Sequence, residues 1–87
     1  MSTTVAERIA QAREAKGITA YALSKLCQLS TSHVSMIERG LRPKLEIETV
    51  IRIARALEST TDWILTGTGE PPAYMREPKA AEEAGAA

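Results

Sequence analysis

Cysteine, histidine, phenylalanine and long apolar runs are what this sequence has least of. Cys27 is the single cysteine among 87 residues. No intrachain disulfide can staple the fold, which fits a reducing compartment. His33 is the single histidine, so Cys and His together cannot supply the four ligands of a structural zinc site. No apolar stretch approaches the ~20 residues of a membrane span, and the N-terminus has no basic region followed by an apolar core. These absences predict a cytoplasmic protein with no membrane partner. There is no Gly-rich phosphate loop, and the chain is short for the folds that hold most cofactors. Ser24, Ser30, Ser32 and Ser35 lack the Asp or Lys arrangement that would activate a hydroxyl. The reading is therefore not an enzyme, with no catalytic residues, no metal and no cofactor.

Aromatics are also scarce: Tyr21, Trp63 and Tyr74, with no Phe. A core must then come from Ile, Leu, Val and Ala, and these fall at helical rather than alternating spacing. The apolar share of 44% and the charged share of 25% are ordinary for a globular protein, and the length suits one small domain. The net charge of zero hides a gradient. Residues 1–66 carry nine basic against seven acidic side chains, and residues 67–87 two against four. Between Lys16 and Lys44 there are five cations and only Glu38 against them, a local excess that suits a polyanion.

Caps and periodicity predict five helices. Thr4 and Glu7 form a capping-box pattern that opens a helix running to Lys16, with Ile9 and Ala12 inward and Gly17 as its stop. Thr19 opens a short second helix through Cys27, with Ala22, Leu23 and Leu26 on one face. Ser30 caps a third over residues 31–39, with Val34 and Ile37 inward and Gly40 ending it. Pro43 makes the next segment a loop. Residues 46–58 carry the most regular stripe, from Ile47, Val50, Ile51, Ala54 and Leu57, widened by Ile53. Ser59 or Thr60 caps a last helix over 61–66, stopped by Gly67. Residues 1–67 thus form one domain. Residues 68–87 form a Pro/Ala/Glu-rich extension, with 79–84 suited to a helix and to dimerisation if packed against a partner.

The second and third helices, each of about eight residues and joined by Gln28-Leu29-Ser30, are too short to survive alone. They make sense as a helix-turn-helix, in which one braces the other in a major groove. The stretch Ile18-Thr19, Leu23-Ser24, Leu29-Ser30 and Val34-Ser35-Met36-Ile37-Glu38-Arg39-Gly40 resembles the Xre family of Cro/cI-type repressors. Residues 47–57 and 60–67 are similar to that family's fourth and fifth helices. The resemblance implies an all-α, five-helix, lambda-repressor-like fold acting as a homodimer on an inverted-repeat operator in double-stranded DNA.

At matched positions the resemblance implies base contacts from Thr31, Ser32, Ser35 and Met36, with His33 at the margin. It implies phosphate contacts from Ala20, Tyr21, Arg39, Arg42 and Lys44, and a structural ion pair between Arg13 and Glu38. Trp63, Ile64 and Leu65 are the expected dimer surface, with the core as the other place for Trp63. The chain departs from the family pattern at Ser24, where Ala is common, and at Gln28, where Gly is common, so a slightly altered turn is expected. None of the base-facing residues is Arg, Asn or Gln, the bidentate readers of guanine and adenine. Modest direct readout is expected, supported by phosphate contacts and DNA shape. A rival reading is a protein-interaction module, an antitoxin or anti-regulator, whose tail captures a protein partner. The pI near 6.6 favours it, because most DNA-binding domains are more basic.

Overall fold

The computed structural model describes residues 3–42 and 44–76. Five helices follow one another: α1 (Val5–Lys16), α2 (Ala20–Leu26), α3 (His33–Glu38), α4 (Ile47–Ala56) and α5 (Thr61–Thr66). Three of the starts rest on hydroxyl caps. Thr4 accepts from the Glu7 amide at 3.1 Å while Glu7 accepts from the Thr4 amide at 2.8 Å, so two amides with no helical partner are satisfied reciprocally. Thr19 caps the Ala22 amide at 3.0 Å and Thr60 the Trp63 amide at 3.1 Å.

α3 departs from the sequence expectation. It begins at His33 rather than residue 31, and its N-cap is Ser32, which makes no capping bond with its side chain. Ser30 contributes its carbonyl instead, accepting from the His33 amide at 3.0 Å. α4 is likewise shorter than 46–58, with Glu46 and Leu57 as its flanking caps.

One apolar cluster joins all five helices: Ile9 and Ala12 from α1, Leu23 and Cys27 from the α2 end, and Val34 and Ile37 from α3. Val50, Ile53, Ala54, Leu57, Trp63 and Ile64 complete it. Four expected core residues lie outside it, Ala22 and Ile51 half-buried, Leu26 and Ile47 exposed. Leu26 is 62% exposed and Ile47 75% exposed. In α2 the buried residues are Leu23 and Ser24, followed by Cys27. At about 100° per residue that set turns the inward face away from Leu26. In α4, Thr49, Val50, Ile53 and Ala54 face inward, which leaves Ile47 on the flank of the first turn.

The buried set also holds a cation. Arg8 is 5% exposed. Its guanidinium donates to the carbonyls of Ile64 at 2.9 Å and Leu65 at 3.0 Å, and also reaches the Thr3 carbonyl. These are end carbonyls of α5, where a helix lacks internal donors and its dipole favours a cation. Gly67 stops α5 at φ +76°, and a Cβ there would stand 3.2 Å from the Arg8 guanidinium. Backbone conformation and close approach both call for glycine.

The described part of the extension folds back on the domain. Pro72 is buried, residues 73–76 make one helical turn, and the Tyr74 hydroxyl donates to the Leu57 carbonyl at 2.6 Å. Burial, reinforced by the Glu58 carboxylate, pushes the Tyr74 phenol up to about 12. The lysine of α1, Lys16, lies 5.2 Å from the centre of the Tyr74 ring and pairs with Glu58 at 3.0 Å. The expected helix at residues 79–84 lies outside the described residues.

Candidate nucleic-acid interface

The α2–α3 turn keeps its form without glycine. Gln28 adopts φ +59°, the left-handed conformation that L residues other than Gly, Asn and Asp rarely take. The Gln28 amide donates to the Lys25 carbonyl at 3.0 Å and the Leu29 amide to the Ser24 carbonyl at 2.9 Å. These are the two bonds of a Schellman ending, formed here with Gln28 at the left-handed position. The Ile37, Met36, Gly40 and Leu41 backbone closes α3 in the same way.

Inside this turn Ser24 is fully buried. Its hydroxyl donates to the Ala20 carbonyl at 2.9 Å and accepts from the Val34 amide at 3.0 Å. The sequence marks Ser24 as a hydroxyl without an activating partner and as a departure from a family pattern, but not as a buried link. A polar residue between Leu23 and Cys27 on the inward face was the available signal.

Of the base-facing candidates, Thr31 and Ser32 are exposed just before α3, whereas His33, Ser35 and Met36 are half-buried on it. Val34 and Ile37 point into the core. The Ser32 hydroxyl lies 3.9 Å from the Met36 sulfur. These groups offer single hydrogen bonds and one apolar contact, with no bidentate donor among them. The His33 imidazole is held below its ordinary pKa, first by burial and then by the Arg42 charge, which keeps it neutral near pH 7.

The phosphate candidates flank this surface. Ala20 is half-buried as the first residue of α2 and packs against the core. Tyr21 is 55% exposed, with the Lys25 ammonium 5.5 Å from its ring centre. Arg39 follows α3, and Arg42 and Lys44 lie in the next loop, all exposed. Among the described residues, neither these three nor Lys25 has a carboxylate within ion-pair distance. Arg52, by contrast, is paired with Glu48 at 2.5 Å, Lys16 with Glu58, and Arg76 with Glu70 at 3.6 Å. Four of the cations without a carboxylate partner among the described residues, Lys25, Arg39, Arg42 and Lys44, thus lie on α2, after α3 and in the following loop, while exposed Arg55 stands apart on α4.

Arg13 and Glu38 meet in a bidentate pair, Nε to Oε2 at 2.7 Å and the second guanidinium nitrogen to Oε1 at 3.0 Å. The third nitrogen donates to the Ile18 carbonyl at 2.9 Å, and the Glu38 bond raises the Arg13 pKa further. The side chains are only 15% and 12% exposed, so the pair bolts the end of α3 to α1.

The expected dimer residues separate. Trp63 is 6% and Ile64 0% exposed, so both are spent on this chain's own core and cannot face a partner. Leu65 is 44% exposed. It shares a hollow of about 240 Å³ with Leu45, Ile47, Val50, Ile51 and Thr61. An adjoining hollow is lined by Val5, Ile37, Gly40, Arg42, Leu45 and Leu65, among others, so this apolar surface borders the basic loop.

No group of three or more metal-ligating side chains occurs among the described residues, and none of their helices is long and apolar enough to cross a membrane. Comparison with known proteins agrees with this geometry. A family model described as helix-turn-helix matches residues 9–64. Among solved structures, the P22 c2 repressor protein in complex with synthetic operator 9T, in the presence of Tl+, superposes with a TM-score of 0.69. The two are 27% identical, and the alignment covers 76% of this chain and 98% of that one. No curated protein sequence matches the chain.

Proposed function

Because this chain belongs to the helix-turn-helix family, and its fold is that of the lambda-type repressors, we propose that it is a DNA-binding transcriptional regulator. It inserts α3 into the major groove of double-stranded DNA and acts as a homodimeric repressor on an inverted repeat. The observation that carries this reading is the arrangement around α3. Hydroxyls and a thioether lie along its exposed side, and Arg39, Arg42 and Lys44, without carboxylate partners among the described residues, flank it. Thr31, Ser32, Ser35, Met36 and His33 face base edges. Arg39, Arg42, Lys44, Tyr21 and the backbone at Ala20 hold phosphates. The P22 c2 repressor, solved in complex with a synthetic operator, supports DNA as the partner.

The dimer surface in this reading is centred on Leu65 and Ile47, with Leu45 and Ile51, in place of Trp63 and Ile64. Its border with Arg42 favours a second copy seated on the same DNA. Recognition helices about 34 Å apart then match one helical turn.

Selection of bound duplexes from a random pool tests the function. With three phosphate contacts per protomer (Arg39, Arg42 and Lys44), six in a dimer, affinity falls about 10³-fold between about 50 and 200 mM salt. The selected pool shows half-sites one turn apart, and Ile47→Ser with Leu65→Ser weakens both dimerisation and operator binding. Salt-insensitive, featureless binding refutes the reading and favours a module that captures a protein partner.

A further inference from the structure

We infer that Ser24 is the positioning residue of α3, its buried hydroxyl tying the phosphate-holding end of α2 to the base-facing start of α3. The inference rests on the DNA-binding reading for its consequence, and on geometry for its substance. One oxygen links Ala20 and Val34: it donates to the Ala20 carbonyl at 2.9 Å and accepts from the Val34 amide at 3.0 Å. Ala20 belongs to the phosphate-holding set, while Val34 lies between His33 and Ser35.

The Val34 amide is among the first amides of α3, which have no partner inside their own helix. In α1, α2 and α5 the corresponding need is met by a threonine just ahead of the helix. In α3 the local candidate, Ser32, makes no such bond. The cap comes instead from Ser24, ten residues earlier. A six-residue helix cannot hold its own ends by propagation, so this bond sets its start and its rotation about its own axis. Val34 points inward and is fully buried. Once its amide is pinned, Ser32, Ser35 and Met36 are presented at fixed angles on the opposite side. Removing the hydroxyl leaves the amide without an acceptor, and an orphaned buried donor is costly enough to move a short helix.

Ser24→Ala and Ser24→Cys are the variants. Alanine deletes the acceptor, whereas cysteine keeps a similar shape with a weak one. Affinity is measured for the wild-type-selected operator and for an unrelated duplex at one salt concentration, and hydrogen exchange is followed at the Val34 and Ile53 amides. In Ser24→Ala, operator affinity falls about tenfold, or about 1.4 kcal/mol. Affinity for the unrelated duplex stays within about twofold and the salt slope is unchanged, because phosphate contacts are preserved. Exchange accelerates at Val34 more than at Ile53, and Ser24→Cys lies between.

Equal losses on both duplexes, or unchanged operator affinity in a folded Ser24→Ala protein, overturn the positioning role. If Ser24→Ala does not fold, Ser24→Cys decides by the same readouts. If the wild-type protein selects no operator, the DNA-binding reading fails. Val34 exchange then still shows whether Ser24 holds α3: acceleration at Val34 alone supports the inference, and parallel changes at both amides refute it.

Discussion

Breaking the Arg13–Glu38 pair is the sharpest test of how the reading helix is held. Glu38→Ala removes two hydrogen bonds, at 2.7 and 3.0 Å, and leaves the Arg13 guanidinium with the Ile18 carbonyl at 2.9 Å and the exposed Glu14 carboxylate at 3.7 Å. Truncating one partner of a buried pair costs about 3–5 kcal/mol, since the other charge remains uncompensated. Water still reaches side chains that are 12–15% exposed, so the low end applies, about 3 kcal/mol. A domain of this size has about 4–13 kcal/mol in total, and the loss lowers Tm by about 12–24 °C. Replacing both residues, Arg13→Met with Glu38→Leu, removes the orphaned charge and stays within about 1 kcal/mol of wild type. Thermal and urea melts of wild type, both single variants and the double variant measure the coupling. A Glu38→Ala protein melting within a few degrees of wild type would refute the reasoning, because the pair would then be a solvated surface contact.

Three further outcomes follow from the turn, the imidazole and the basic loop. Gln28→Gly relieves the left-handed strain at φ +59° and raises stability by about 0.5–1 kcal/mol in urea titration, after the added freedom of the unfolded chain is subtracted. His33 is held below its ordinary pKa, so the unfolded chain binds its proton first as pH falls. Its stabilising contribution is complete above about pH 6.5 and declines below it. Melts across pH 5–7.5, a window of about 2.5 units, show that decline in the wild type and a shallower one in His33→Gln. Arg42→Ala with Lys44→Ala lowers the salt slope of DNA binding by about 2 per protomer, with little change in sequence preference. An unchanged slope removes both side chains from the phosphate contacts.

The parts of this fold that were legible in the sequence depend on neighbours a few positions apart. Thr4 with Glu7, Thr19 with Ala22 and Thr60 with Trp63 are caps spanning three residues, and helices start where such pairs stand. The bury-every-third-or-fourth pattern likewise marked Ile9, Ala12, Val34, Val50, Ala54 and Leu57, all of them in the core. The pairing of Arg13 with Glu38 came from family resemblance, not from spacing, because twenty-five residues separate them.

What escaped the sequence reading depends on partners brought from afar. The start of α3 was misplaced because its cap is Ser24 and not a neighbouring hydroxyl. Leu26 and Ile47 sit on helices whose periodicity admits them to the stripe, but the rotation of each helix against the others leaves them outside. Trp63 and Ile64 looked available to a partner until the close of α5 over α1 and α4 enclosed them. Arg8 reads as one more surface cation, yet its carbonyl partners lie 56 and 57 residues away. Sequence alone determined that the chain makes five helices, three of them capped by neighbouring threonines, with a helix-turn-helix at their centre, since caps and periodicity are short-range chemistry. Tertiary structure alone decided which faces and which polar groups are enclosed, because burial is a property of the assembled surfaces and not of any one segment.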